Sequence, residues 1–330
     1  MRNLAIIGGG SWGTALALVL APRFQRVRLW VYEADLAGRM RETRINDVYL
    51  PGFVLPDSVQ VSSNLARALE DAEIVLSVVP SHLVRGLYQQ MLPHLRQCRL
   101  LVSATKGLES KTLLRMSEII GQITGAGLGV TVISGPSFAR EVARGEPTAL
   151  VAASTRPDAA AQVQSLFAGP TLRVYTSTDP IGVEIGGSIK NVVAIGAGVL
   201  HGLGLGHNAM AALITRGLAE MTRLAVAMGG RSQSLAGLAG LGDLVLTCTG
   251  ELSRNRTVGI ELAHGRKLDD ITGSMKMVAE GVKTTNAAVD LASRYGVEMP
   301  IAREMYGVLH NGNSPREAIQ RLMERSLKGE

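Results

Sequence analysis

Apolar and polar positions follow two different rhythms along this 330-residue chain. From residue 4 to about 176, short apolar runs recur at 4–7, 27–32, 59–61, 74–78, 100–103, 130–133, 149–152 and 172–175, with longer segments of helical spacing between them. Strands alternating with helices predict βαβ units and hence an α/β fold with a doubly wound, mainly parallel sheet. Near Asp179-Pro180 the rhythm changes. Beyond that point β-branched strand candidates almost vanish, and 185–203 and 209–228 are rich in Ala, Gly, Leu and Met. Small residues let helices approach closely, so this half is predicted to be all-helical. The length also exceeds what one hydrophobic core usually fills. Two domains are therefore expected, 1–180 and 181–330. At the C-terminal end, over 314–327, Ile319, Leu322 and Met323 recur at helical spacing against charged residues, which predicts a helix packed on the outside of the second domain, with a part in a dimer contact as the alternative.

The first predicted strand runs directly into Gly8-Gly9-Gly10-Ser11-Trp12-Gly13, ahead of a good helix start at 14–20. In this GxGxxG spacing Gly8 can make the tight turn, Gly10 lets backbone approach a pyrophosphate, and Gly13 lets the helix pack on the strand. The helix start then offers unsatisfied N–H groups and partial positive charge to phosphates. The motif assigns dinucleotide binding to 1–180 and leaves 181–330 to hold a substrate; a purely structural glycine turn is the alternative. Glu33, at the end of the second predicted strand, would bond an adenosine ribose and favour NAD over NADP. Arg28, Arg39 and Arg41 lie close by in sequence, so both cofactors stay open.

Composition narrows the ligand class. A formal charge of +6 suits either nucleic acid or small anions, but aromatics are only 4% and basic residues form no long block. Stacking platforms and basic arms both lack their usual marks, so phosphorylated small molecules are expected and nucleic-acid partners are not. Cys98 and Cys248 are far apart and neither sits in a CxxC pair, so no disulfide framework or zinc site is expected. The start, Met1-Arg2-Asn3, leads straight into the first strand without a signal-peptide pattern, and no apolar run approaches the ~18–20 residues of a membrane span. A cytoplasmic protein with no membrane partner is the expectation.

Several polar residues interrupt glycine-rich or apolar segments. Lys106, in Ser103-Ala104-Thr105-Lys106-Gly107-Leu108-Glu109, follows the fifth predicted strand, where loops of a doubly wound sheet face the ligand crevice. A solvated loop lysine is the plainer reading. Lys190, in Gly186-Gly187-Ser188-Ile189-Lys190-Asn191-Val192, either snorkels to the surface or is desolvated so that its pKa falls toward a useful acid/base range. Asp243, in Gly240-Leu241-Gly242-Asp243-Leu244, could equally cap a helix. Ser253-Arg254-Asn255-Arg256 lines up hydroxyl, guanidinium and amide donors suited to a phosphate, or forms an exposed basic turn. Gly135-Pro136-Ser137-Phe138-Ala139 follows the sixth predicted strand at another crevice-facing position, or is an ordinary turn.

Taken together, the order GGGSWGTALA, SATKGLE, GPSFAREV, GGSIKNVVAIGAG, LAGLGDLVLTCTG, SRNR and AEGVKTT resembles the bacterial NAD(P)-dependent glycerol-3-phosphate dehydrogenase family, from residue 4 to at least Glu280. The resemblance implies a Rossmann-like N-terminal domain, a helical C-terminal domain, NAD(P)H as cofactor, a homodimer, and service to phospholipid synthesis. It places Ser11, Trp12, Tyr32, Lys106, Ala139, Arg254, Val278 and Glu280 in contact with cofactor. It places Lys106, Gly135, Ser137, Lys190, Asp243, Ser253, Arg254 and Asn255 in contact with the phosphorylated substrate, with Lys190 as proton donor and acceptor. On that reading Asp243 orients Lys190 or accepts a substrate hydroxyl. No metal is implied. A ketopantoate reductase or 3-hydroxyacyl-CoA dehydrogenase would share the architecture, and a non-catalytic dinucleotide sensor would share the cofactor. The SRNR and GLGDL segments argue against the former, and the presence of both lysines against the latter.

Overall fold

The computed structural model describes residues 2–125, 127–275, 279–327 and 329. Among them, ten strands run in chain order: β1 (Asn3–Ile7), β2 (Arg26–Trp30), β3 (Ile45–Asn46), β4 (Leu50–Val54), β5 (Val59–Ser62), β6 (Ile74–Ser77), β7 (Leu100–Ser103), β8 (Val130–Ser134), β9 (Thr148–Ala153) and β10 (Leu172–Ser177). Eight of them form one sheet in the order β5-β2-β1-β6-β7-β8-β9-β10. Helices cover both faces, so β6 and β7 are buried along their whole length and read in sequence as unbroken apolar runs. The order reverses between β1 and β6, which pair in parallel with Leu4 opposite Ile74 and Ile7 opposite Ser77. A doubly wound sheet opens its ligand crevice at the carboxyl ends of such a pair.

All eight predicted strands are present, and the Rossmann-like, mainly parallel sheet is the observed one. The structure adds two features. β9 pairs antiparallel with β8, so the sheet is not parallel throughout. A separate hairpin joins β3 to β4; β3 is two residues long and β4 carries Pro51 and Gly52, so neither has the composition of a strand.

The helical part is built around Pro180–Gly202, which Asp179 caps by accepting the Gly182 N–H at 2.9 Å. This helix is buried on all sides between Gly182 and Leu200. The helices His207–Ala227, Asp243–Thr249, Arg254–Ala263, Glu280–Tyr295 and Pro300–His310 pack around it. It is also long and apolar enough to cross a membrane, which corrects the expectation that no such stretch exists. Its apolar character is accounted for by its place at the centre of the helical core. One neighbour comes unusually close: a Cβ on Gly198 would stand 2.0 Å from the Arg256 carbonyl oxygen, and one on Gly259 2.0 Å from that of Ile195. Glycine at both positions lets Arg254–Ala263 lie directly on the central helix, which fixes where the SRNR segment begins.

The two parts are tied by a buried ion pair. Glu184, on the central helix, accepts Arg115 Nη1 at 2.6 Å, the Ser117 N–H at 2.8 Å and the Ser117 hydroxyl at 2.6 Å. Burial pushes its carboxyl upward, against the pull of Arg115. Both cysteines are free and buried. In the helix Pro315–Met323, Ala318 is buried and Ile319 and Leu322 pack against the helical core, whereas Met323 is 80% exposed.

Candidate active site

The glycine turn joins β1 to the helix Ser11–Leu20, and its glycines have different causes. Gly8 has φ +130°, and a Cβ there would lie 2.2 Å from the Val78 carbonyl oxygen. A Cβ on Gly13 would lie 1.9 Å from the Gly8 carbonyl oxygen. The protein's own packing therefore dictates both. Gly10 differs: its backbone is extended, and a Cβ on it would meet nothing within 4 Å. The open space lies over the start of a helix, where backbone N–H groups and the helix dipole favour an anion. The turn is braced by Asn46, whose amide donates to the Gly9 carbonyl and the Thr14 hydroxyl, each at 2.8 Å. Trp12 and Ala139 pack into one apolar cluster beside this helix. Ser11 opens the helix, half-buried.

Glu33 lies three residues past β2, directly before the helix Ala34–Thr43, and accepts the Tyr49 hydroxyl at 2.7 Å; that bond pushes the Tyr49 pKa up to about 12. Tyr32 is 78% exposed, with its ring edge-on to Trp30. These residues form the rim of the crevice on the β2 side.

On the other side three chemistry-bearing residues from distant segments meet. Lys106 follows β7 and donates to Asp243 Oδ2 at 2.6 Å and to the Gly135 carbonyl at 3.2 Å. Lys190, from the middle of the central helix, donates to Asp243 Oδ1 and to the Thr247 hydroxyl, the latter at 2.8 Å. Thr247 in turn donates to the Asp243 carbonyl at 2.6 Å. A π-helical turn, Leu238–Gly242, delivers Asp243 to this point; such turns often re-aim a helix at functional sites. The Asp243 side chain is 1% exposed and that of Lys106 is 21% exposed, so the cluster opens toward Lys106. One carboxylate thus holds two ammonium groups. Burial pulls the Lys190 pKa down to about 7; Asp243 opposes the fall and Lys106 adds to it. Of the two readings of Lys190, snorkelling and desolvation, the structure gives the second.

Gly135 follows β8 with φ +145°, and the Ser137 hydroxyl donates to its carbonyl at 3.0 Å. Ser253 is buried and caps Arg254–Ala263 by accepting the Arg256 N–H at 3.3 Å. Arg254 is exposed at the first position of that helix, within the field of Glu280. Two arginines and no acid occupy the first turn, where the helix dipole disfavours cations, so the segment is poised for an anion. Asn255 is committed more deeply than its sequence position suggests: it donates to Asn191 Oδ1 at 2.9 Å and accepts the Gly281 N–H at 2.9 Å. This bracket locks the SRNR turn to the residue beside Lys190. Glu280 opens its helix and reaches Ser81. Val278 lies outside the described residues.

Thr247, Asn191, Asn46 and Ser81 all brace the site and went unremarked in the sequence. Thr247 could have been found, since it falls four residues after Asp243 and so on the same helix face. The others are held by long-range contacts that spacing does not reveal. No group of three metal-ligating side chains occurs among the described residues.

The comparisons with known proteins agree over nearly the whole chain. Residues 3–160 match the family model for the NAD-dependent glycerol-3-phosphate dehydrogenase N-terminus, and 179–320 that for its C-terminus. The chain is 56% identical to a glycerol-3-phosphate dehydrogenase [NAD(P)+] of Koribacter versatilis, over 98% of each protein. It is 52% identical to that of Geobacter sulfurreducens, over 100% of this chain and 99% of the relative. The crystal structure of glycerol-3-phosphate dehydrogenase from Coxiella burnetii superposes with a TM-score of 0.94 at 41% identity, covering 98% of this chain and 99% of that one. A glycine turn open over a helix start, a carboxylate shared by two lysines and full-length likeness to these enzymes lead to one statement: this chain belongs to the NAD-dependent glycerol-3-phosphate dehydrogenase family.

Proposed function

We propose that the protein interconverts dihydroxyacetone phosphate and sn-glycerol 3-phosphate with NAD(P)H, using residues 1–180 to hold the cofactor and 181–330 to hold the substrate. The single observation that carries this reading is the Lys106–Asp243–Lys190 cluster, where the central helix meets the carboxyl ends of the sheet strands. Bound over the glycine turn, a nicotinamide cofactor supplies the hydride. Gly8, Gly10, Ser11, Trp12 and Gly13 would hold it, with Tyr32, Lys106, Ala139, Arg254, Val278 and Glu280 along its length.

Ser253, Arg254 and Asn255 would take the substrate phosphate, the guanidinium by paired N–H donors. Lys106, Gly135 and Ser137 would line the other end. As the carbonyl carbon gains hydride, its oxygen gains charge, and Lys190 Nζ gives that oxygen a proton while Lys106 steadies it. In the reverse direction neutral Lys190 takes the hydroxyl proton. A pKa of about 7 leaves both forms of Nζ populated near neutrality. Asp243 and Thr247 hold Nζ in place for either step. A cytoplasmic homodimer that supplies glycerophospholipid synthesis completes the proposal.

A spectrophotometric assay following NADH and NADPH oxidation tests the proposal. Oxidation that depends on added dihydroxyacetone phosphate is expected; none with either cofactor would refute it.

A further inference from the structure

The loop after β6 and the helix Glu280–Tyr295 belong to opposite parts of the chain, yet they meet in one polar contact. The Glu280 carboxylate accepts the Ser81 hydroxyl at 2.9 Å and the Ser81 N–H at 3.4 Å. Ser81 is buried, and β6 lies beside β1 where the strand order reverses. Gly107, from the loop after β7, closes the third side. A Cβ on it would stand 2.7 Å from Ser81 Cβ, 2.8 Å from Ser81 Oγ and 3.4 Å from Glu280 Oε2. Its N–H donates instead to Ser188 on the central helix, at 3.0 Å. The missing side chain at Gly107 thus leaves room in which Ser81 can reach the carboxylate.

A helix start already favours an acid through its own dipole, whatever the side chain's orientation. What two donors on one carboxylate add is direction. We propose that Ser81 is a positioning residue, fixing the attitude of the Glu280 carboxylate toward the cofactor, so that cofactor affinity depends on a hydroxyl that touches no ligand itself. This rests on the reading of Glu280 as a cofactor contact.

The test is a double-mutant cycle on the full chain, measuring NADH and NADPH dissociation constants by calorimetry for wild type, Ser81→Ala, Glu280→Ala and the pair. Ser81→Ala should weaken cofactor binding about tenfold or more, as expected for one lost bond to a charged group. The pair should bind no worse than Glu280→Ala alone, since the hydroxyl acts only through the carboxylate. Ser81→Thr, which keeps the hydroxyl, should bind as wild type. Losses that multiply in the pair, or unchanged affinity in Ser81→Ala, would overturn the proposal. Unchanged affinity in Glu280→Ala alone would instead remove the reading of Glu280 on which it stands.

Discussion

Glu184 and Asp243 are both buried carboxylates at the central helix, and they are satisfied in opposite ways. Glu184 faces one guanidinium, one hydroxyl and one backbone N–H, so its charge is matched and its acceptor sites are filled by groups held in place. Asp243 faces two ammonium groups, one of them at the open side of the cluster. The first arrangement is closed and adds nothing to a cleft. The second carries surplus positive charge and a lysine whose pKa has fallen to about 7, so it can receive an anionic substrate and move a proton. Glu184 and Lys190 lie only six positions apart on the same helix. Burial of charge alone therefore does not mark the chemistry; the imbalance of charge within the buried group does.

The sharpest break of this comparison removes one cation from each group. Lys190→Ala should lower kcat by ~10²–10⁴-fold, the usual worth of general acid catalysis, with the cofactor dissociation constant nearly unchanged. Arg115→Ala should instead cost about 3–5 kcal/mol of stability in denaturant unfolding, because Glu184 is left buried without its partner. Steady-state assays and unfolding curves on both variants distinguish the two roles.

The same distinction can be drawn inside the glycine turn. Gly8→Ala, at φ +130° and against the Val78 carbonyl, should cost about 2–5 kcal/mol of stability. Gly10→Ala meets no protein atom within 4 Å, so it should leave the melting temperature alone and raise the KM for cofactor. Arg254→Ala should raise the KM for the phosphorylated substrate about tenfold or more, since a phosphate loses its forked partner, with little change in folding. The smallest effect is expected from Thr247→Val, which takes one acceptor from Lys190: a two- to tenfold loss of kcat, about the worth of one hydrogen bond.

Much of this was legible in the chain itself, for identifiable reasons. Parallel strands buried on both faces leave unbroken apolar runs, which is why β1, β6 and β7 stood out. The glycines of the turn are local, so Gly8 and Gly13 announced themselves by spacing. The β3–β4 hairpin was hidden because Pro51 and Gly52 disguise it, and the antiparallel step at β9 because a run of Ala and Val carries no direction. The resemblance supplied the roles of Lys106, Lys190 and Asp243, but their meeting is tertiary. Residues 106, 190 and 243 share no element, and nothing in the sequence says that one carboxylate serves two lysines. The commitment of Asn255 to Asn191 and Gly281 was invisible for the same reason.

The central claim is that Lys190 exchanges the proton, and the pH dependence of kcat/KM in both directions tests it most directly. A lowered pKa means the ammonium form prevails only below about pH 7. Carbonyl reduction, which needs that form, should therefore fall as pH rises through 7, while alcohol oxidation, which needs the neutral amine, should rise through the same point. Profiles that move together in the two directions, or that keep the same inflection in Lys190→Ala, would contradict the account.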